Sequence, residues 1–296
     1  MISIVIPTKN EEQNLPGCLR SVEWCDDVHV FDCGSTDGTV QLAERMGASV
    51  TTRSYPASLP IFGGNEAEHK NWGLQHIPFK YPWVFQLDAD ERVTHELAFS
   101  LISAVQSPGD NVAFRVCRRD FLHGRWLKHV QTSPYYLRLF RPERMRYERL
   151  INPVSIPDGP VSELSGYLDH LPFSKGMRQW LDRHNSYSTL EAQQIMANRT
   201  AHKAFSLTQA FVAADFHERR FHQKELFYRL PARPLVKFAL LYLLKRGFLD
   251  GGPGFTYAVL QSIYEYMIVL KTSELEEGVL EPSAATLSET TAGGRY

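Results

Sequence analysis

The sequence predicts an α/β fold: a mostly parallel sheet flanked by helices, with a helical module after it. Three observations predict this. Short apolar runs alternate with helix-compatible stretches through about the first hundred residues. Polar and acidic residues gather directly after those runs. Beyond Lys175 the strand pattern gives way to long helical stretches.

Taken in order, Ile2 to Ile6 is a β-branched run suited to a strand buried on both faces, and Pro7 is expected to stop it. A helix is expected from about Glu11 to Trp24. Val28 to Phe31 reads as a second strand ending at Asp32. After the Cys33-Gly34-Ser35-Thr36 turn a helix starts near Asp37, an N-cap residue type. Ala48 to Thr52 is a third strand and Asn65 to Gln75 a weak helix. Trp83 to Leu87 is a fourth strand, ending at Asp88, and Glu96 to Val105 is helical. Val112 to Val116 and Tyr135 to Phe140 follow as strands, and 141–170 reads as irregular and strand-rich. A long helix runs from Lys175 to about Ala201. Arg219 to Leu270 is aromatic, basic and helical, broken by Pro231, Pro234 and a Gly251-Gly252-Pro253-Gly254 turn. The polar tail beyond Thr272 is expected to be disordered. The domain reading is therefore 1–170 catalytic, 171–272 helical and 273–296 tail.

A net charge of −1 argues against a chain built as a whole to bind polyanions, so any basic surface must be local. Cys18, Cys25, Cys33 and Cys117 form no CxxC pair and no zinc spacing, which fits free thiols in a reducing compartment. The first residues open directly into a strand pattern with no basic n-region, so no signal peptide is expected. No apolar run reaches the ~20 residues that span a bilayer.

Asp88-Ala89-Asp90-Glu91 follows a buried strand. Carboxylates at i and i+2 there can both reach the edge of the sheet where ligands bind. Hard cations such as Mg²⁺ or Mn²⁺ prefer such oxygen ligands and bridge carboxylate to phosphate. The plainer reading is an acidic N-terminus for the next helix. Asp32-Cys33-Gly34-Ser35-Thr36-Asp37-Gly38-Thr39 places a carboxylate at a strand end, beside small residues that admit a ligand close to the backbone. A capped strand–turn–helix is the alternative. Pro7-Thr8-Lys9-Asn10-Glu11-Glu12-Gln13-Asn14-Leu15 could floor a nucleotide pocket or be a polar helix start.

Together, in this order and spacing, Ile4 to Glu12, Asp32 to Thr39 and Leu87 to Glu91 resemble the inverting glycosyltransferases of family two. More loosely, Leu137 to Arg141, Gly166 to His170 and Arg246 to Gly251 resemble the bacterial lipopolysaccharide-core and exopolysaccharide glucosyltransferases within it. The resemblance implies a GT-A (Rossmann-like) fold, a UDP-sugar donor, a saccharide or lipid-linked acceptor, and Mg²⁺ or Mn²⁺. It implies that Pro7, Thr8 and Glu11 line the base and ribose pocket and that Asp32 meets the uracil ring. Asp88 would face ribose or metal, and Asp90 would be the principal metal ligand. His69, Lys70 and Asn71 fall where the family places donor contacts, and His170 is a further metal or phosphate contact or a structural histidine. The related subgroup carries a His-Glu pair near the position of Asn152-Pro153, which this chain lacks. Glu148, Asp120 and Asp158 remain as candidate catalytic bases, Glu148 first.

From Arg219 to Arg246 there are eight Lys/Arg and one acid, Glu225, among many aromatics and leucines. That composition suits peripheral attachment to an anionic membrane on its cytoplasmic face, or a packed helical hairpin. It is too apolar for a nucleic-acid stripe. Two other functions stand beside the transferase. One is a sugar-nucleotide-binding scaffold without a base. The other is a nucleotidyltransferase, although Thr8-Lys9-Asn10-Glu11 is not the Gly-rich triphosphate loop such an enzyme would carry.

Overall fold

The computed structural model describes residues 1–56, 63, 65–148, 153–200, 205–212 and 216–278. Contacts divide the chain into two units, 1–126 with 133–175, and 127–132 with 176–296.

The first unit is built on a sheet. β1 (Ser3–Thr8) pairs in parallel with β2 (Val28–Asp32) and β4 (Val84–Gln86), and β2 pairs in parallel with β3 (Ser49–Thr52). β8 (Tyr135–Phe140) runs antiparallel between β4 and β6 (Ala113–Leu122). β11 (Val161–His170) lies parallel to β6, and β5 (Glu91–Val93) closes that edge antiparallel to β11. The order is β3-β2-β1-β4-β8-β6-β11-β5, with β7 (Arg125–Trp126) hairpinned onto β6. All strands in that order except β8 and β5 point the same way among the described residues, so the sheet is mostly parallel. β9 (Met145–Glu148) and β10 (Val154–Pro157) form a separate hairpin.

Alternation along β1 explains why it is apolar throughout. Ile4 and Ile6 face a core shared with α1 (Leu15–Arg20), α2 (Thr39–Arg45) and α4 (His95–Gln106). Val5 faces the opposite core with Phe31, Phe140 and α3 (Glu66–His76). Both faces are covered, as parallel strands require. Local caps fix the helix starts: the Asn65 side chain accepts from the Glu68 N–H at 3.0 Å, and Thr94 Oγ1 accepts from the Leu97 N–H at 3.3 Å.

Several expectations need correction. Pro7 does not end β1, which runs to Thr8. The Val5 carbonyl accepts from the Leu87 N–H, so the β4 side carries Val5 and, two residues on, Pro7. β4 has ended by then, so no ladder donor is missed at the proline. The helix expected over Glu11–Trp24 shrinks to Leu15–Arg20, because the residues before it are bonded to the neighbouring loop. Asp37 lies two residues before α2 and accepts from the Thr39 N–H at 3.0 Å. β5 and β7 were not foreseen, being too short to show a period.

Gly166 marks where β11 shifts register between Glu163 and Tyr167. Its φ is +87°, and a Cβ there would lie 2.5 Å from the Leu97 nitrogen and 2.7 Å from its Cα. Backbone cannot give way as a flexible side chain can. Gly166→Ala is expected to cost about 2–5 kcal/mol, read as a lower urea midpoint at unchanged slope. A midpoint equal to wild type would show that β11 can move off α4.

The second unit is helical: α5 (Gly176–Thr200), α6 (Gln209–Val212), α7 (Phe216–Tyr228), α8 (Arg233–Ala239) and α9 (Gly251–Glu276). α8 runs into a π turn, Leu240–Leu244, and a 3₁₀ turn, Gly247–Asp250, precedes α9. Gly251-Gly252-Pro253-Gly254 is therefore the first turn of α9 and not a break. Pro253 is tolerated there because first-turn N–H groups have no helical acceptor. α9 continues past Thr272 to Glu276, and residues 279–296 lie outside the described residues. Asp250 anchors segment 127–132: its Oδ2 accepts from the N–H groups of His129 (2.9 Å) and Val130 (2.8 Å), and its Oδ1 lies 2.7 Å from His129 Nδ1.

Candidate active site

Because β1, β2, β4, β6 and β11 point the same way, their last residues share one edge of the sheet. Antiparallel β5 begins at that edge, with Glu91 paired to His170. Asp32, Asp88, Asp90, Glu91, Asp120 and His170 are all brought to this edge or next to it. β2 and β4 flank β1, so the Asp32 and Asp88 ends are about 10 Å apart, two strand spacings.

On the β2 side, Asp32 is fully buried. It accepts from Thr8 Oγ1 (3.0 Å), the Ser35 N–H (2.8 Å) and Ser35 Oγ (2.5 Å). The loops after β1 and β2 are bonded to each other. Lys9 Nζ donates to the carbonyls of Cys33 (2.8 Å) and Gly34 (2.5 Å), the Asn10 N–H donates to Ser35 Oγ (2.8 Å), and the Thr36 N–H donates to Asn10 Oδ1 (2.7 Å). Glu12 Oε2 accepts from the Gly38 N–H at 3.0 Å. Glu11 is engaged by Lys175 (2.5 Å) and by Asn14 Nδ2 (2.8 Å).

On the β4 side the carboxylates are held by arginines. Arg138 Nη2 lies 2.7 Å from both Asp88 Oδ2 and Glu91 Oε1. Glu91 Oε2 accepts from the Asp88 N–H at 2.9 Å. Partial burial disfavours the charge on Asp88, but Arg138 outweighs it and holds the carboxyl well below the usual range. Glu91 is completely buried, and desolvation pushes it up to about 7 against the pull of Arg138. His170 sits between two carboxylates, Asp120 Oδ1 at 2.6 Å from Nδ1 and Asp90 Oδ2 at 3.3 Å from Nε2. Burial opposes its protonation, but the bonds to Asp120 and Asp90 prevail and raise it to about 9. Asp120 also meets Arg118 Nε at 3.1 Å.

Arg138 owes its place to an irregularity. β8 aligns Leu137 with Arg115 and Leu139 with Phe114, leaving Arg138 as the extra residue of a β-bulge. A bulge re-aims the side chain it carries. No role was assigned to Arg138 from sequence. The signal was present, since a guanidinium inside the apolar run Leu137-Arg138-Leu139-Phe140 must find a buried counter-charge.

Other candidates lie on α3 and the β9–β10 hairpin. Asn71 makes two bonds to the Tyr147 backbone (2.9 and 2.8 Å), and the Tyr147 hydroxyl donates to Gln86 Oε1 at 2.7 Å. Lys70 pairs with Glu66 at 3.1 Å and lies over the Tyr147 ring. His69 is buried and stacked on Phe31; burial pushes it down to about 4. Glu148 and Asp158 belong to the β9–β10 hairpin and its exit, where they are exposed beside Arg146 (2.9 Å) and Arg144 (3.1 Å). Asn152 lies outside the described residues.

No group of three or more His, Cys, Asp or Glu among the described residues is arranged to hold a metal by itself. Two carboxylates at a strand end do suit a Mg²⁺-type ion, which binds one or two protein oxygens and completes its shell with phosphate and water. Asp90 and the Oδ1 of Asp88 have that chemistry. His170 fits less well, because both of its ring nitrogens already face carboxylates, Nδ1 toward Asp120 and Nε2 toward Asp90.

Residues 3–161, more than half of the chain, match the family described as Glycosyl transferase family 2. The lipopolysaccharide core biosynthesis glycosyltransferase LpsC of Rhizobium meliloti is 28% identical over 279 residues, covering 91% of this chain and 91% of that protein. The polyprenol monophosphomannose synthase of Mycolicibacterium smegmatis is 31% identical over 113 residues, 36% of this chain and 42% of its own. Among solved structures, S. aureus TarS 1-349 is similar with a TM-score of 0.41 at 15% identity, over 94% of this chain and 91% of that one.

Proposed function

This chain belongs to glycosyl transferase family 2, and from that we propose that it moves a hexose from a UDP-sugar to a saccharide or lipid-linked acceptor, with inversion at the transferred carbon. Its sheet is of the GT-A type. The observation that carries the reading is the shared edge where Asp32 and the Asp88–Asp90 pair stand on either side of β1, one nucleoside apart. The name of the Rhizobium relative supports a role in lipopolysaccharide or other cell-envelope polysaccharide synthesis.

In this reading the joined loops around Asp32, with Pro7, Thr8 and Glu11, form the base and ribose floor. Lys70 supplies positive charge toward the diphosphate, while Asn71 positions the strand that carries Tyr147. Asp90 and Asp88 would hold a Mg²⁺ or Mn²⁺ ion, which when bound compensates the charge of the diphosphate. The acceptor hydroxyl attacks the sugar carbon from the face opposite the diphosphate, the carbon–phosphate-oxygen bond breaks, and the hydroxyl proton passes to a carboxylate. Asp120 is a poor recipient, because its carboxylate is buried and already engaged by His170 and Arg118. Glu148 is exposed and, among the described residues, pairs with one arginine, Arg146; it lies on the strand that Tyr147 ties to Gln86, and we assign it the proton. Attachment to the membrane that carries a lipid-linked acceptor is peripheral, on the cytoplasmic face.

Thermal unfolding with UDP- and GDP-sugars, with and without Mn²⁺, tests the donor. A donor at 100 times its Kd should add about 2.7 kcal/mol. Stabilisation by GDP-sugars alone would overturn the uridine assignment. Glu148→Gln should retain donor binding and lose roughly 10²- to 10⁴-fold in transfer. If it transfers normally, Asp120→Asn and Asp158→Asn become the decisive comparison. Donor binding without transfer or hydrolysis in the wild type would favour the scaffold.

A further inference from the structure

The basic stretch after Arg219 does not present all its charges to solvent. Arg233 is buried in an ion pair with Glu265, and Lys237 is partly buried over the Phe227 ring. What remains outside is a corner formed by the end of α8, its π turn and the following 3₁₀ turn. Leu243 and Leu244 are 60% and 75% exposed there, and Phe248 is half-exposed. Lys245 and Arg246 stand between them, exposed, and neither has a carboxylate partner among the described residues. From Leu226 to Tyr264 the chain holds one acidic residue, Asp250. That residue is buried and bonded to His129 and Val130. The corner is thus apolar at its tips and cationic between them, and its own stretch, Leu226 to Tyr264, carries no surface acid.

We propose that this corner, with Leu243, Leu244 and Phe248 at its tips and Lys245 and Arg246 between them, docks into the surface of an anionic bilayer. The apolar tips enter the headgroup boundary while the two cations meet lipid phosphates. Charge complementarity selects this occupant. A neutral apolar partner would leave both cations uncompensated at a drying surface, whereas anionic headgroups neutralise them at the depth where leucine tips leave water. No helix among the described residues is long and apolar enough to cross a membrane, so the attachment is to one leaflet. The proposal rests on the reading above for its purpose, which is to keep the enzyme on the surface that carries a lipid-linked acceptor. It does not depend on the donor's identity.

The test is co-sedimentation of the full chain with phosphatidylcholine vesicles, with and without about one-third phosphatidylglycerol, from about 0.1 M to about 1 M salt. Three proteins are compared: wild type, Leu243→Ser/Leu244→Ser and Lys245→Gln/Arg246→Gln. All the changed side chains are exposed, so folding should hold, and thermal unfolding with donor checks it. Wild type should prefer the anionic vesicles. The serine pair should bind about tenfold or more weakly at every salt concentration. The glutamine pair should lose several-fold at low salt and converge on wild type at high salt. Wild type that ignores anionic vesicles at low salt overturns the proposal, as do variants that bind like wild type. Wild type that is dimeric, and monomeric only as the serine pair, overturns it in favour of a second copy on this surface. Donor stabilisation is read in the same samples; its failure would sink the transferase reading and leave the membrane result standing.

Discussion

Asp90→Ala should remove Mn²⁺-dependent donor binding and reduce transfer by about 10³-fold or more, equivalent to about 4 kcal/mol of charge stabilisation at the diphosphate. The fold should tolerate the change. His170 loses a contact at 3.3 Å but keeps its bond of 2.6 Å to Asp120. The variant should therefore unfold near the wild-type temperature while donor no longer raises that temperature in Mn²⁺. Calorimetry with UDP, with and without Mn²⁺, separates the contributions: weak metal-independent binding should survive on the Asp32 side. Wild-type turnover by Asp90→Ala in Mn²⁺ would show that the strand-end carboxylates hold no ion, and the assignment of Asp88 would go with it.

Arg138→Met should be the most destabilising single change in this network, by about 3–5 kcal/mol near neutral pH. Methionine fills much of the space but leaves Asp88 and Glu91 without the cation that sits 2.7 Å from each. The sign of its pH dependence follows. Without Arg138 the buried Glu91 carboxyl, already pushed up by desolvation, is raised further above its unfolded value. Stability is then intact below the unfolded value, about pH 4, and is lost as pH rises through the folded one. The gap between variant and wild type should be small at acid pH and widen toward neutrality. Adding Glu91→Gln should recover part of the loss, since the buried carboxyl that has lost its cation is replaced by a neutral amide of the same shape. Urea unfolding across pH measures this. A variant within about 0.5 kcal/mol of wild type at neutral pH would mean water already reaches the pair.

Much of the first half was legible because its signals are local. Ile4, Val30 and Phe85 lie in runs buried on both faces, and such runs are apolar from end to end whatever their neighbours. The carboxylates after them, Asp32 and Asp88, are one strand end away from the sheet edge by construction. What could not be read depends on partners distant in sequence. The bond from His170 to Asp120 spans 50 residues and exists only because β11 lies beside β6 in that register. Arg138 needed a one-residue slip between β8 and β6, which leaves no mark in composition. Arg233 looked like a surface cation because Glu265, which buries with it, is 32 positions away. Asn71 and His69 lie on the helix before β4, where the Asn71 amide bonds the Tyr147 carbonyl and His69 Nδ1 meets the Tyr55 hydroxyl. Proximity in sequence says where a side chain starts and not what it reaches.

The mutual bonding of the loops after β1 and β2 has a thermodynamic corollary. Lys9, Asn10 and Glu12 tie these segments together before any nucleotide arrives, so their conformational entropy is surrendered on folding. An arriving nucleoside meets a rigid, preorganised surface, and its affinity is not reduced by the need to order a loop. Recognition of the base should then resemble a key entering a finished lock, with a heat-capacity change no larger than the area the base itself covers.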